Sequence, residues 1–281
     1  MNIAGVVILY HPDMELLLAN IQSYNTGLKQ LYVYDNSETK TLGIEEALLK
    51  LNPSIEYKYF NANEGIAKRL NQAIEQASLN RYDFLLTMDQ DSSFKAGDFE
   101  KYKSLIQSTA YNHAAQFGVN CQPDFTQSKE QPEEALTLIT SGSILNLSIT
   151  KNIGSFKEDF FIDFVDAEFS YRVIQNGYIN LMFSNIVLNH ALGTLVEGRG
   201  LGNFKKSMRI IHAPIRVYYI IRNGLYLYFK AKGLTSPMKK DVIRCIKIIK
   251  NDLIYNPQLF SVYKNVFAGI YAFMTNRMGK K

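Results

Sequence analysis

Phe84-Leu-Leu-Thr-Met-Asp-Gln-Asp91 is the stretch on which the fold turns. Phe84–Met88 is a run of strand length and apolar character, the signature of a strand covered on both faces. Two carboxylates, Asp89 and Asp91, follow it directly. Doubly covered strands belong to parallel sheets flanked by helices, so the flanking sequence should alternate strand and helix. Upstream it does. Ile3–Tyr10, Leu31–Asp35 and Ile55–Phe60 read as strands. Asp13 can cap a helix that carries Leu16, Leu17, Asn20, Ile21 and Tyr24 at helical spacing. Leu42–Leu51 reads as a short helix ended by Pro53, and Ile66–Leu79 sets Ile66, Leu70, Ala73, Ile74 and Ala77 on one face. The expected fold is α/β, a mainly parallel sheet flanked by helices.

In sheets of this kind ligands sit beyond the carboxyl ends of the strands. Those ends here are Tyr10, Asp35, Asn61 with Asn63, and Asp89. Four strand ends thus converge on polar groups. Asp89 and Asp91 repel each other unless a cation neutralises them, and a divalent ion bridging a diphosphate is the simplest partner. The same two residues could instead cap the next helix. A second acidic cluster, Asp163, Asp166 and Glu168, lies among aromatics in Phe161–Phe169. Burial there would raise carboxylate basicity, as a general base requires, and Asp166 could also serve only as a helix cap. His190 follows the strand Ile179–Asn189 and can complete a metal shell, although a lone His is commonly structural.

Further along, Thr140-Ser-Gly-Ser143 between apolar runs marks a turn or a strand with a close backbone approach. Ala167–Asn176 reads as a helix ended by Gly177. Thr109–Gln131 resists assignment. Ala191–Asn203 contains Gly193, Gly198, Gly200 and Gly202 and reads as a flexible loop, a candidate lid. His212, Arg216, Tyr218, Tyr219, Arg222 and Asn223 form a polar set in an apolar, helix-like run; phosphate recognition and salt bridges to neighbouring helices are both open. The last 70 residues read as helical. Leu259, Phe260, Tyr263, Val266, Phe267, Ile270, Tyr271 and Met274 make a regular apolar stripe, and Arg244, Lys247 and Lys250 share one side of a preceding helix.

With 281 residues, 47% of them apolar and 20% charged, the chain can pack a large core, and disorder is excluded as the default. Cys121 and Cys245 stand far apart in no metal-type spacing, which favours a reducing compartment. The apolar start is too short for a signal-peptide core, and no run is long enough to span a bilayer. The net charge of +5 is uneven: Lys205–Lys281 holds sixteen Lys and Arg against Asp241 and Asp252. A basic helical tail with an apolar stripe fits an anionic membrane surface, a packed core helix or a dimer seam better than nucleic acid, and a solvated basic face with no partner is also open. A sugar-phosphate nucleotidyltransferase would need a Gly-rich, basic loop after the first strand, and Tyr10-His-Pro-Asp-Met-Glu15 has neither feature. A non-catalytic relative should lack Asp91 or Asp166, and both are present.

Taken in order, the motifs resemble those of the family-2 nucleotide-sugar glycosyltransferases of GT-A fold, and within them a rhamnosyltransferase-like branch. They are Val7-Ile-Leu-Tyr-His-Pro12, Val33-Tyr-Asp-Asn-Ser37, Asn63-Glu-Gly-Ile-Ala67 with Asn71, Asp89-Gln-Asp91, Thr140-Ser-Gly-Ser143, Phe161–Phe169, His190 and His212-x-Pro-x-Arg-x-Tyr-Tyr-x-x-Arg-Asn223. The resemblance covers about residues 3–225. It implies that Tyr10 and Asp35 hold the nucleobase, that Asn63, Gly65 and Asn71 line the nucleotide pocket, and that Asp89 faces the ribose or the metal. It implies Asp91 and His190 as further metal contacts, with Mg²⁺ or Mn²⁺ as the cofactor. Asp166 would be the base of an inverting transfer with Asp163 beside it; Ser141, Gly142, Glu168, His212, Arg216 and Arg222 would lie toward the acceptor. The donor implied is dTDP- or UDP-linked, first of all dTDP-L-rhamnose, and the acceptor is a saccharide, expected to be lipid-linked. The organisation expected is a catalytic domain over 1–230, with a nucleotide half about 1–95 and an acceptor half about 96–230, and a basic helical tail over 231–281. The expected location is cytoplasmic, peripheral on the inner face of the cell membrane.

Overall fold

The computed structural model describes residues 1–107, 112–121, 129–190, 193–199 and 206–281. The alternation read from the sequence is present: β1 (Ile3–Leu9), α1 (Met14–Gln22), β2 (Gln30–Asp35), α2 (Ile44–Leu51), β3 (Ile55–Tyr59), α3 (Ile66–Leu79) and β4 (Phe84–Asp89). Asp13 caps α1 by accepting from Leu16 N at 3.0 Å. The chain continues through β5 (Ser93–Phe94), α4 (Asp98–Ile106), β6 (Ala114–Asn120), β7 (Glu133–Glu134), β8 (Ser143–Asn146), α5 (Leu147–Ile153), α6 (Val165–Gln175) and β9 (Ile179–Asn189).

Among the described residues these strands form one sheet in the order β3-β2-β1-β4-β8-β6-β9-β5, with β7 also on β9. The four leading strands run parallel, so each needs a helical crossover, which the α-helices between them supply. β8 pairs antiparallel with β4 and β6, and β6 pairs parallel with β9, so the sheet is mixed beyond β4. Central β1 alternates its side chains between two covered faces. Ile3, Val7 and Leu9 join a core with Leu17 and Ile21 of α1, Ile44 and Leu48 of α2, and Phe99 and Tyr102 of α4. Ala4 and Val6 point the other way, and α3 packs against β1 and β4 through buried Leu70, Ala73 and Ala77.

The turn before β8 is fixed by Thr87 and Gly142. Thr87 Oγ1 donates to Thr140 O at 2.5 Å, and Gly142 N donates to Thr87 O at 2.9 Å. Gly142 has φ 74°, and a Cβ there would stand 2.7 Å from Val119 Cγ2. Only glycine meets both constraints.

The chain divides into two compact units. One comprises residues 1–158 and 166–191; the other comprises 159–165 and 192–281. The boundary expected at 230 falls inside the second unit. That unit holds the antiparallel pair β10 (Thr194–Arg199) and β11 (Lys206–Ile211), followed by α7 (Pro214–Phe229), α8 (Ser236–Ile246), α9 (Asp252–Tyr255) and α10 (Leu259–Met274). Residues 194–199, expected in a glycine-rich lid, are therefore strand: Gly198 pairs with Ser207 rather than hinging a loop. Residues 191–192 and 200–203 of the expected lid lie outside the described residues. The helix expected to carry Arg244, Lys247 and Lys250 on one side breaks after Ile246 into a 3₁₀ turn over Lys247–Lys250.

Helix α10 packs on α7 with Gly269 at the crossing, where a Cβ would come 2.7 Å from Tyr218 O. The buried side of α10 is Val262, Asn265, Gly269 and Ala272. The expected apolar stripe is not this face. Phe260, Phe267 and Met274 are 85%, 69% and 71% exposed. The helix has two faces that carry apolar side chains, and the small residues allow the closer approach to α7.

Candidate active site

The ends of β4 and β9 bring Asp89, Asp91 and His190 together, with one ligand atom from each lying within 4.8 Å of the others. Ser92 organises the cluster. Its Oγ lies 2.7 Å from His190 Nδ1 and receives the Ser141 hydroxyl at 2.7 Å, while Ser141 Oγ accepts from Asp89 N at 3.1 Å. His190 Nδ1 also lies 3.3 Å from Asp91 Oδ1. Burial acts to raise the Asp91 carboxyl, but the hydrogen bond and charge of His190, aided by its own backbone and Ser92, outweigh that and hold it below its ordinary value. An ionised carboxylate, a second carboxylate and an imidazole fit a divalent cation that keeps its remaining positions for phosphate oxygens and water.

Tyr10 is exposed beside this cluster. Its N–H donates to Gln90 Oε1 at 2.8 Å and its carbonyl accepts from Gln90 Nε2 at 3.1 Å, so the middle residue of Asp-Gln-Asp holds the end of β1. The strand ends beyond are braced by amides. Asn36 Nδ2 donates to Asn63 Oδ1 at 3.0 Å, Gly65 N donates to the same oxygen at 3.1 Å, and Glu64 N donates to Asn36 Oδ1 at 3.1 Å. Arg69, fully buried, donates to Asn36 Oδ1, Ala62 O and Glu64 Oε2 and lies 3.6 Å over the Phe60 ring. Gly65 precedes α3 with φ 87°.

Other expected site residues have partners within the chain. Asp35 is buried, and it accepts from Ser37 N at 3.0 Å and from the Tyr57 hydroxyl at 2.8 Å. Burial, then the Asp35 bond and charge, push the Tyr57 phenol far up, so Tyr57 stays a donor. Asp35 is fully buried, so a nucleobase reaches its Oδ2 only with a local shift of the side chains around it, Tyr57 among them. Asn71, expected in the nucleotide pocket, latches the 156–158 segment, donating to Phe156 O and Glu158 Oε1 and accepting from Phe156 N, each at 2.9 Å. Glu168, expected toward the acceptor, makes a two-bond ion pair with Arg172 one helical turn on, at 3.0 and 2.8 Å. Ser141 is buried beneath the Asp89–His190 cluster, and Gly142 serves the turn described above.

Asp166 lies in the first turn of α6, half-buried, with Ala167 N donating to its Oδ1 at 2.8 Å. Asp163 belongs to the second unit and pairs with Arg216 Nη2 at 2.5 Å. Phe161, Asp163 and Phe164 all have φ between 62° and 65°. Such left-handed non-glycine residues cost about 1–3 kcal/mol each and persist only where the surroundings over-determine them. His212 is buried against Asp252: its N–H donates to Asp252 Oδ1 at 2.6 Å, and its Nδ1 lies 2.8 Å from Asp252 Oδ2. Arg222 is buried too, donating to Asp159 O, Phe160 O, Gly279 O and Asn223 Oδ1. His212 and Arg222, expected near the acceptor, are thus occupied inside the second unit. The sequence reading missed Ser92, Gln90, Asn36, Tyr57 and Arg69 as supporting residues. Periodicity carries no sign of them; adjacency to the strand-end carboxylates was the available clue for Asn36, Gln90 and Ser92, and none pointed to Tyr57 or Arg69.

Solved structures share this fold. The mannosyltransferase PcManGT from Pyrobaculum calidifontis, in complex with GDP-Man and Mn²⁺, superposes with a TM-score of 0.61 at 14% identity, covering 98% of this chain and 75% of that one. Residues 1–349 of S. aureus TarS with UDP-GlcNAc give 0.60 at 15% identity, covering 98% and 81%. Fold and carboxylate-bearing strand ends together define a nucleotide-sugar glycosyltransferase of GT-A fold. The model of glycosyl transferase family 2 matches residues 16–166, more than half of the sequence, and the chain belongs to that family. Among characterised relatives, the dTDP-rhamnosyl transferase RfbF of Shigella flexneri is 24% identical over 252 residues, spanning 82% of this chain and 80% of its own.

Proposed function

We propose that this enzyme moves L-rhamnose from dTDP-L-rhamnose to a hydroxyl of a growing, lipid-linked cell-surface polysaccharide, with inversion at the anomeric carbon. The observation that carries the reading is the convergence of Asp89, Asp91 and His190 at two strand ends. The choice of donor follows the substrate named for the Shigella flexneri relative. Tyr10, Asn63 and Gly65 border the nucleotide, Asp35 reads the base once Tyr57 moves, and Asn71 acts by latching the 156–158 segment. Asp89, Asp91 and His190 would hold Mg²⁺ or Mn²⁺, whose chemistry would be electrostatic stabilisation of the charge on the departing diphosphate. Asp166 takes the proton of the acceptor hydroxyl as its oxygen attacks the anomeric carbon opposite the leaving group. Glu168 keeps its acceptor-side place through the Arg172 pair, and Ser141 and Gly142 shape the turn beside the cation.

A screen of nucleotide sugars by thermal shift, with and without each cation, tests this. A ligand that binds only the folded state raises the melting temperature by mass action, by about 2.7 kcal/mol of stability at one hundred times Kd. A cation-dependent shift with dTDP-L-rhamnose supports the proposal. A larger shift with a UDP-sugar reassigns the donor, and no shift with any nucleotide sugar refutes it.

The second unit suits the surface on which a lipid-linked acceptor would lie. No helix among the described residues is long and apolar enough to cross a membrane. Support for a peripheral contact comes from the outward Phe260, Phe267, Tyr271 and Met274 of α10 in a strongly basic segment. A homodimer seam is the competing use of that face.

A further inference from the structure

We infer that Arg222 and Asn223, completed by the Arg216–Asp163 ion pair, are positioning residues: a clamp on α7 that holds the backbone of residues 159–164 and thereby sets the first turn of α6, where Asp166 lies. The inference rests on the reading of Asp166 as the base.

The clamp is unusual in what it grips. Buried Arg222 sends its hydrogen bonds to main-chain carbonyls and an amide rather than to a carboxylate: Asp159 O and Phe160 O at 3.0 Å, Gly279 O at 2.5 Å and Asn223 Oδ1 at 2.9 Å. The Tyr218 and Tyr219 rings lie 5.3 and 5.0 Å from the guanidinium. Next to it, buried Asn223 turns one amide nitrogen toward three carbonyls, Phe160 O at 3.0 Å, Ile162 O at 2.9 Å and Asp163 O at 2.8 Å. Those carbonyls converge because Phe161, Asp163 and Phe164 are left-handed, a conformation that L side chains resist. The Phe161 ring stacks on Tyr219 at 5.1 Å, and Arg216 reaches Asp163 from one turn earlier on the same helix. One helix thus supplies all of these restraints on the strained segment, and the Gly279 N–H adds one from outside it by donating to Asp159 O at 2.7 Å.

A buried charge gripping a contorted loop is a poor way to gain stability alone, since an apolar filling would avoid the desolvation. The arrangement makes sense where a loop must have one shape. The segment runs through Val165 directly into Asp166, so a flipped peptide at 161–164 would re-aim the first turn of α6. A base must come within about 3 Å of its proton, and an error of about 1 Å can cost about a hundredfold in rate.

The test uses the full-length chain and hydrolysis of dTDP-L-rhamnose, in which Asp166 would take the proton of the attacking water and no acceptor need be identified. Asn223→Asp keeps the shape but sets a carboxylate against three carbonyls; Arg216→Ala, at a side chain 41% exposed, is the variant safe for folding. Each is measured for melting temperature, nucleotide affinity and kcat, alone and combined with Asp166→Asn. Expected is a fall in kcat of about a hundredfold for Asn223→Asp and about tenfold for Arg216→Ala, with nucleotide affinity within about twofold. Asn223→Gln should recover part of the rate. Added to Asp166→Asn, either change should cost less than about threefold, because the group being aimed is already gone. Wild-type kcat in the folded Arg216→Ala chain, or losses that multiply in full with Asp166→Asn, would overturn the clamp. Full turnover by Asp166→Asn alone would show that the base assignment has failed, and the positioning role with it.

Discussion

Asp91 shows how single residues acquire a function from their neighbours. Its carboxyl is partly desolvated, yet His190 and Ser92 hold it below its ordinary value, and a second carboxylate, Asp89, beside it calls for a cation. Asp91→Ala should weaken cation-dependent nucleotide binding at least about tenfold while leaving cation-free binding in place, as titration calorimetry with and without Mn²⁺ will show. Cys121 gives a pH prediction nearby. Burial, and then the charge of Asp89, push its thiol from 9.0 up to about 12. The unfolded thiol ionises first, so the folded state keeps this contribution below pH 9 and loses it as pH rises toward 12. At pH 8 iodoacetamide should therefore label Cys121 slowly in the native protein and rapidly in urea, which mass spectrometry can follow.

Elements are joined at points where a local rule is broken for a tertiary reason. Thr87 interrupts the apolar run of β4, and its hydroxyl ties that strand to the turn carrying Ser141 and Gly142. Gly142→Ala should cost about 1–3 kcal/mol, since it meets both a left-handed φ and a 2.7 Å contact with Val119. A fall in melting temperature measures it, and a rise would show that the turn has another conformation open to it. Much of this level was legible beforehand. α1, α3, α6 and β9 lie within two residues of their expected bounds, because caps, glycine stops and apolar periodicity act over a few residues. β10 was not legible: glycines at 193, 198, 200 and 202 suggest a loop, and only pairing with β11 makes 194–199 a strand.

The two units carry opposite charge. The second is strongly basic and presents the aromatic outer face of α10, whereas the residues before Lys205 are net acidic. Flotation with anionic liposomes should carry the intact chain upward, less so as salt rises, and Phe260→Ser with Phe267→Ser should release it. Equal flotation of the double variant, or a salt-stable dimer by light scattering, would assign the face to a second copy instead. Point substitutions are the right tool. Cutting the tail away would strip α7 of α10, which packs along it.

What the sequence determined by itself was the alternating sheet, the carboxylates at its strand ends and the family they belong to, because period, capping and motif order are local properties of the chain. Tertiary structure alone decided the partners. It put Ser92 and Ser141 under His190, closed Tyr57 over Asp35, turned Arg222 and His212 inward and chose which face of α10 to cover. A side chain's type states what it can bind, but which group it meets depends on residues tens to a hundred positions away, and that choice is made only when the chain packs.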